Sequence, residues 1–83
     1  MLMARADRPW IEKTKRILKA ELTRRDISYR ELAERLQQIG ITDGVNERNI
    51  SNKISTGGFS AVFFFQCMEA IGCRTIHLDR DED

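Results

Sequence analysis

Val45 to Gly58 reads VNERNISNKISTGG, and its composition is unusual for a helix on a small domain. Ile50 and Ile54, four apart, suit a core, yet the remaining positions are amide, hydroxyl or charge. Exposed helical positions usually take Glu and Lys, which stay solvated. This stretch uses Asn46, Arg48, Asn49, Ser51, Asn52 and Ser55 instead. At 100° per residue, Ile50 and Ile54 share the inward side. Arg48, Asn52 and Ser55 then gather on the opposite side, flanked by Asn49 and Ser51. Asn46 is placed to cap the helix, Val45 and Ile50 to form a hydrophobic staple, and Gly57-Gly58 to end it.

That outward set suits base edges in a DNA major groove. Arginine donates two bonds to guanine O6 and N7, and asparagine pairs with adenine N6 and N7. Serine hydroxyls reach bases or phosphates. The competing reading is a plain solvated face. It leaves unexplained why asparagine and serine, which lower helix propensity, are chosen there.

Working outward, three more helices are legible. A segment from Pro9 to Arg24 carries Trp10, Ile11, Ile17, Leu18 and Leu22 on one face and Lys13, Lys15, Arg16 and Lys19 outside it. Ser28-Tyr29-Arg30-Glu31 fits a capping box, with Ile27 and Leu32 as its staple. Leu32, Ala33, Leu36 and Ile39 make the buried stripe of that second helix, and Gly40 stops it. Ser60 caps a last helix, AVFFFQCMEAI, closed by Gly72. Three adjacent phenylalanines cannot share one face, so this helix is expected to be central and to touch several neighbours. Residues 74–78 fit either a short fifth helix capped by Thr75 or an alternating strand. The extended form is preferred, and as an unpaired strand it is a candidate dimer element.

The totals agree with one small soluble domain. Eighty-three residues hold a single modest core, with 41% hydrophobic and 33% charged side chains. No internal repeat or linker divides the chain, and no apolar run approaches the ~20 residues of a membrane span. The beginning, MLMARADRPW, lacks the apolar centre of a secretory signal, so a cytoplasmic location is expected. The net charge of +1 conceals polarity: residues 1–56 hold twelve Lys/Arg against eight Asp/Glu, and residues 57–83 two against five. A basic first half suits a polyanion, although ordinary surface charge with a solubilising tail gives the same count. Residues 1–8 read as a flexible arm, 9–78 as the domain and 79–83 (DRDED) as an acidic disordered tail.

Residues that resemble a reactive site have simpler explanations. Cys67, Cys73 and His77 are spaced C-x5-C-x3-H without a fourth ligand, whereas structural zinc takes four. A Cys–His nucleophile needs a third orienting group and a pocket, and no phosphate-cradling glycine loop is present. No catalysis, cofactor, metal or small-molecule ligand is expected.

The arrangement of a basic first helix, ISYRELAERL (27–36), Gly44-Val45, NERNISNKI (46–54) and FSAVFFFQCMEAIG (59–72) resembles the lambda-repressor-like helix-turn-helix fold over about residues 13–78. The run NISNKISTGGFSAVFFFQCMEAIG more closely resembles a small family of short bacterial proteins of unknown function with a predicted helix-turn-helix. The resemblance implies an all-α domain of four to five helices, with helix 46–56 entering the major groove and Tyr29 near the phosphate backbone. Two departures stand out. Val45 follows the Ala33 position by twelve residues where the usual motif spans about five, and the second isoleucine falls at 54, one place late. Helix two must therefore run on, or a loop must bulge before helix three.

The expectation is a sequence-specific, dimeric DNA-binding regulator of bacterial or phage type. Arg48, Asn49 and Asn52 would read bases of double-stranded DNA, assisted by Asn46, Ser51 and Ser55. Tyr29, Arg30, Arg25 and Arg24 would hold phosphates, helped by the amides that open helix two. Lys53 lies on the flank nearer the core, and Glu47 opposes phosphate there. Arg5 and Arg8 suit either a minor-groove arm or a frayed terminus. The alternative is a protein-interaction module, adaptor or antitoxin-like, that keeps the fold without binding DNA.

Overall fold

The computed structural model describes residues 8–78. Its four helices are α1 (Arg8–Arg24), α2 (Tyr29–Gln38), α3 (Glu47–Thr56) and α4 (Ala61–Ile71). The starts of α2, α3 and α4 are set by local signals. Ser28 Oγ accepts from the Glu31 amide at 3.1 Å, Asn46 Oδ1 from the Asn49 amide at 2.8 Å, and Ser60 Oγ from the Phe63 amide at 3.1 Å. Each bond satisfies one of the amides a helix start leaves without a partner. The capping box is only half as expected. The Glu31 carboxylate turns down its own helix to Arg35, 3.0 Å from Nε and 2.9 Å from NH2, rather than back to the cap.

Leu18, Leu22, Ile27, Leu32, Ala33, Leu36, Ile50, Ile54, Phe63, Cys67, Met68 and Ile71 form one core. Its hub is α2, which contacts both α3 and α4. This corrects the expectation for α4: Phe63 is buried and Phe64 half-buried, but Phe65 and Val62 are 61% and 65% exposed. The phenylalanine run surrounds a helix that, among the described residues, has neighbours on one side only. Trp10, expected on the buried face of α1, is 67% exposed. At 1.5 Å per residue the 17-residue α1 is about 25 Å long, against about 15 Å for α2 and α3, so its first turns overhang the core.

The stretched segment between α2 and α3 is a loop. Helix α2 continues for little more than a turn past Ala33 and stops at Gln38. Ile39, expected in its buried stripe, leaves the helical path and is 44% exposed. Gly40 takes φ 94° and Gly44 φ 65°, both left-handed, each in a turn of the loop. The Ile41 amide donates back to the Leu36 carbonyl at 3.0 Å, and half-buried Ile41 and Val45 cover the core. Two side chains secure the far end: Gln37 Nε2 donates to the Val45 carbonyl and Asn49 Nδ2 to the Gly44 carbonyl, both at 2.9 Å.

Residues 73–78 form neither of the structures expected of them, and among the described residues there is no strand. Alternation alone does not make a strand without a partner for its backbone. Ile76 and His77 are half-buried, while Arg74, Thr75 and Leu78 are exposed. Arg8 opens α1; Arg5 and the tail 79–83 lie outside the described residues.

Candidate functional site

Helix α3 is fixed from within and open from without. Ile50 and Ile54 are 2% and 0% exposed. Arg48, Asn52 and Ser55 are exposed on the opposite side, with Ser51 half-buried between them. Arg48, Ser51 and Asn52 line one shallow depression together with Asn46 and Glu47. Helical spacing places these side chains as neighbours, three and four residues apart.

The other two asparagines have work inside the fold. Asn46 spends its carbonyl oxygen on the cap, and Asn49 spends its amide nitrogen on the Gly44 carbonyl. Asparagine at both positions is therefore explained by local structure: the sequence points to Asn46 as the cap but not to the loop contact of Asn49. The turn at Thr42-Asp43-Gly44 is legible from its residue types and forms, with the Val45 amide 3.4 Å from the Thr42 carbonyl, but no local rule ties Asn49 to a carbonyl five positions back. Lys53 leans toward the core, its Nζ 4.7 Å from the centre of the Phe63 ring.

The expected phosphate contacts divide into two groups. Arg30 is exposed, and only a 3.9 Å approach links it to Glu34. Tyr29 is half-buried, and burial raises its hydroxyl above the ordinary tyrosine value; like any tyrosine it is a donor at neutral pH. Arg24 and Arg25 instead converge on Glu21, with NH1 atoms 2.8 and 2.5 Å from Oε1. Glu21 is a buried carboxylate; the spacings i,i+3 and i,i+4 signal its pairing with Arg24 and Arg25 but not its burial. It leaves this cluster with one net positive charge where two were counted. Lys19, on the basic side of α1, and Thr23 share a groove with Ser28 and Tyr29 where α1 meets α2.

Burial alone would raise the Glu21 carboxyl, but hydrogen bonds from Arg25 and Arg24 outweigh it and hold it below its ordinary value. A carboxyl lowered by folding stabilises the fold above its unfolded value, and that contribution disappears as pH falls through its folded one. Glu21→Gln is expected to cost about 1 kcal/mol at pH 7, since the partner arginines are partly solvated. Urea titrations should show this gap closing as pH drops below the usual glutamate range; a gap independent of pH would contradict the assignment.

Cys67 is buried, and burial pushes its thiol up to about 12 despite Lys53. Half-buried Cys73 donates to the Thr75 carbonyl at 3.3 Å. Among the described residues no three His, Cys, Asp or Glu side chains gather as metal ligands, and no helix is long and apolar enough to cross a membrane.

A family model described as a domain of unknown function, DUF6471, matches residues 10–76, from the first turn of α1 past the end of α4. The chain belongs to that family. No curated protein and no solved structure matches this DUF6471 chain. The family match spans all four helices, so the α3 face belongs to the DUF6471 domain itself rather than to an extension of it.

Proposed function

We propose that this domain is a sequence-specific DNA-binding protein, a transcriptional regulator of bacterial or phage type, that inserts α3 into the major groove. One observation carries the reading: Arg48, Ser51, Asn52 and Ser55 face solvent, and among the described residues none of their side chains has an internal partner. A guanidinium, an amide and two hydroxyls on one side of a short helix match the donors and acceptors of base edges. Helices α2 and α3 then act as a helix-turn-helix with a long, pinned turn. Arg30 and the Tyr29 hydroxyl supply phosphate contacts beside the start of α2. Asn49 and Asn46 retain one unused polar atom each and stand as secondary base contacts, while Arg24 and Arg25 contribute weakened charge.

The second reading, a protein-interaction module without DNA binding, draws support from the same Glu21 cluster, which removes positive charge from the expected phosphate side. Affinity for random-sequence duplex across a salt series separates the two. With about two to four phosphate contacts per domain, the slope of log K against log salt is expected near −2 to −4. No measurable binding at low salt would overturn the DNA reading and favour the interaction module.

A further inference from the structure

A second face is apolar, and among the described residues nothing covers it. Ile39 and Ile41, from the loop after α2, adjoin Ala61, Val62 and Phe65 of α4 around a shallow groove rimmed by Gln66 and Glu69. Ile39, Val62 and Phe65 keep 44%, 65% and 61% of their surface exposed. The loop's early exit from α2 creates this face, because it carries Ile39 out to the α4 side.

We infer that this face is the surface through which two copies of the chain pair. The first argument is area. Taking about 200 Å² for a full phenylalanine and rather less for each aliphatic side chain, the exposed patch amounts to roughly 350–400 Å². An interface at the small end of the specific range buries about 600 Å² per partner, of which about 57% is apolar, hence roughly 340 Å². One patch therefore supplies the apolar core of a small two-fold interface, and polar side chains at its edge supply the remainder. The second argument is self-complementarity. A two-fold contact sets the same patch against itself, which a nearly uncharged aliphatic and aromatic surface permits. The chain's own last residues, DRDED, are a poor cover, since they carry no apolar side chain and would bring acids to Glu69. Such a pair is expected to be weak, dissociating at roughly micromolar concentrations, as interfaces at the low end of the size range often do. The inference stands apart from the DNA reading: pairing would double the bases read, but it does not require that any be read.

Sedimentation of the full chain from about 5 to about 500 µM tests it, since that range spans a micromolar dissociation constant. The average mass is expected to rise from one chain to two and no further. Phe65→Glu should weaken association at least about 30-fold, as for a central contact residue. Because Phe65 is exposed, circular dichroism of the variant should be unchanged. Val62→Glu repeats the test should the first variant lose helicity. Trp10→Glu alters an exposed apolar side chain outside the face and should associate like the parent. A mass of one chain throughout, growth past two, or equal weakening by Trp10→Glu would each overturn the inference. Dimerisation without DNA affinity would leave it standing while the DNA reading fails.

Discussion

Gly57→Ala is expected to destabilise the domain by about 2–4 kcal/mol, far more than its chemistry suggests. Two penalties combine. Gly57 ends α3 at φ 72°, ψ 5°, with its amide donating to the Lys53 and Ile54 carbonyls at 3.1 and 3.2 Å. An L side chain in that left-handed region costs about 1–2 kcal/mol. In addition, a Cβ there would stand 2.5 Å from Ile11 Cγ2 and 2.7 and 2.8 Å from Lys15 Cδ and Cγ. The lysine stem can swing away; the branched methyl of Ile11 cannot without moving α1. Gly57 is therefore the place where the overhanging half of α1 is seated against the end of α3. Gly58→Ala is the matched control: its added carbon meets nothing within 4 Å, and its φ is not positive. It should be neutral or slightly stabilising, by up to about 1 kcal/mol, through a less free unfolded chain. Urea midpoints of the two variants decide the matter, and equal midpoints would show that the junction yields freely.

What the sequence made legible was local, and what it concealed was lateral. Ser28, Asn46 and Ser60 cap helices, and Gly57 and Gly72 end them, because each signal involves residues within four positions of one another. The 3.6-residue period likewise identified which side of each helix is apolar. It carries no information about how far a neighbour extends. Trp10 and Ile39 lie at or near the apolar sides of their helices and remain exposed, one past the end of the core and the other past the end of its helix. Phe65 is exposed for a related reason, since the described residues cover α4 on one flank only. The α3 face was legible as a set of side chains, because a ten-residue helix fixes their angular order. That Asn49 fastens the preceding loop was not, since Gly44 lies five residues back across a left-handed turn. Burial of Glu21 was also beyond reach: its spacing to Arg24 and Arg25 fits an exposed ion pair equally well.

Helix α3 should divide cleanly when its two sides are altered one at a time. Ile54→Ala removes three carbons from a side chain that is 0% exposed in the core shared with α2 and α4, and should cost about 2–5 kcal/mol. For a chain of this length, whose whole stability is expected at about 4–12 kcal/mol, that is a substantial part of the fold. Any loss of DNA affinity it causes should follow the unfolded fraction and recover at lower temperature. Arg48→Ala acts in the opposite way. Its side chain is exposed without a partner among the described residues, and alanine favours the helix, so stability should shift by no more than about 0.5 kcal/mol. Binding to a site recovered by selection from random duplexes should fall by about 1–3 kcal/mol, roughly 5- to 150-fold, with one base position losing its preference. Affinity for random duplex should drop far less, because a base contact contributes little to binding through phosphates. Should Arg48→Ala leave the selected site bound as before, the outer side of α3 reads nothing, and the positions from 48 to 55 are no more than a solvated surface.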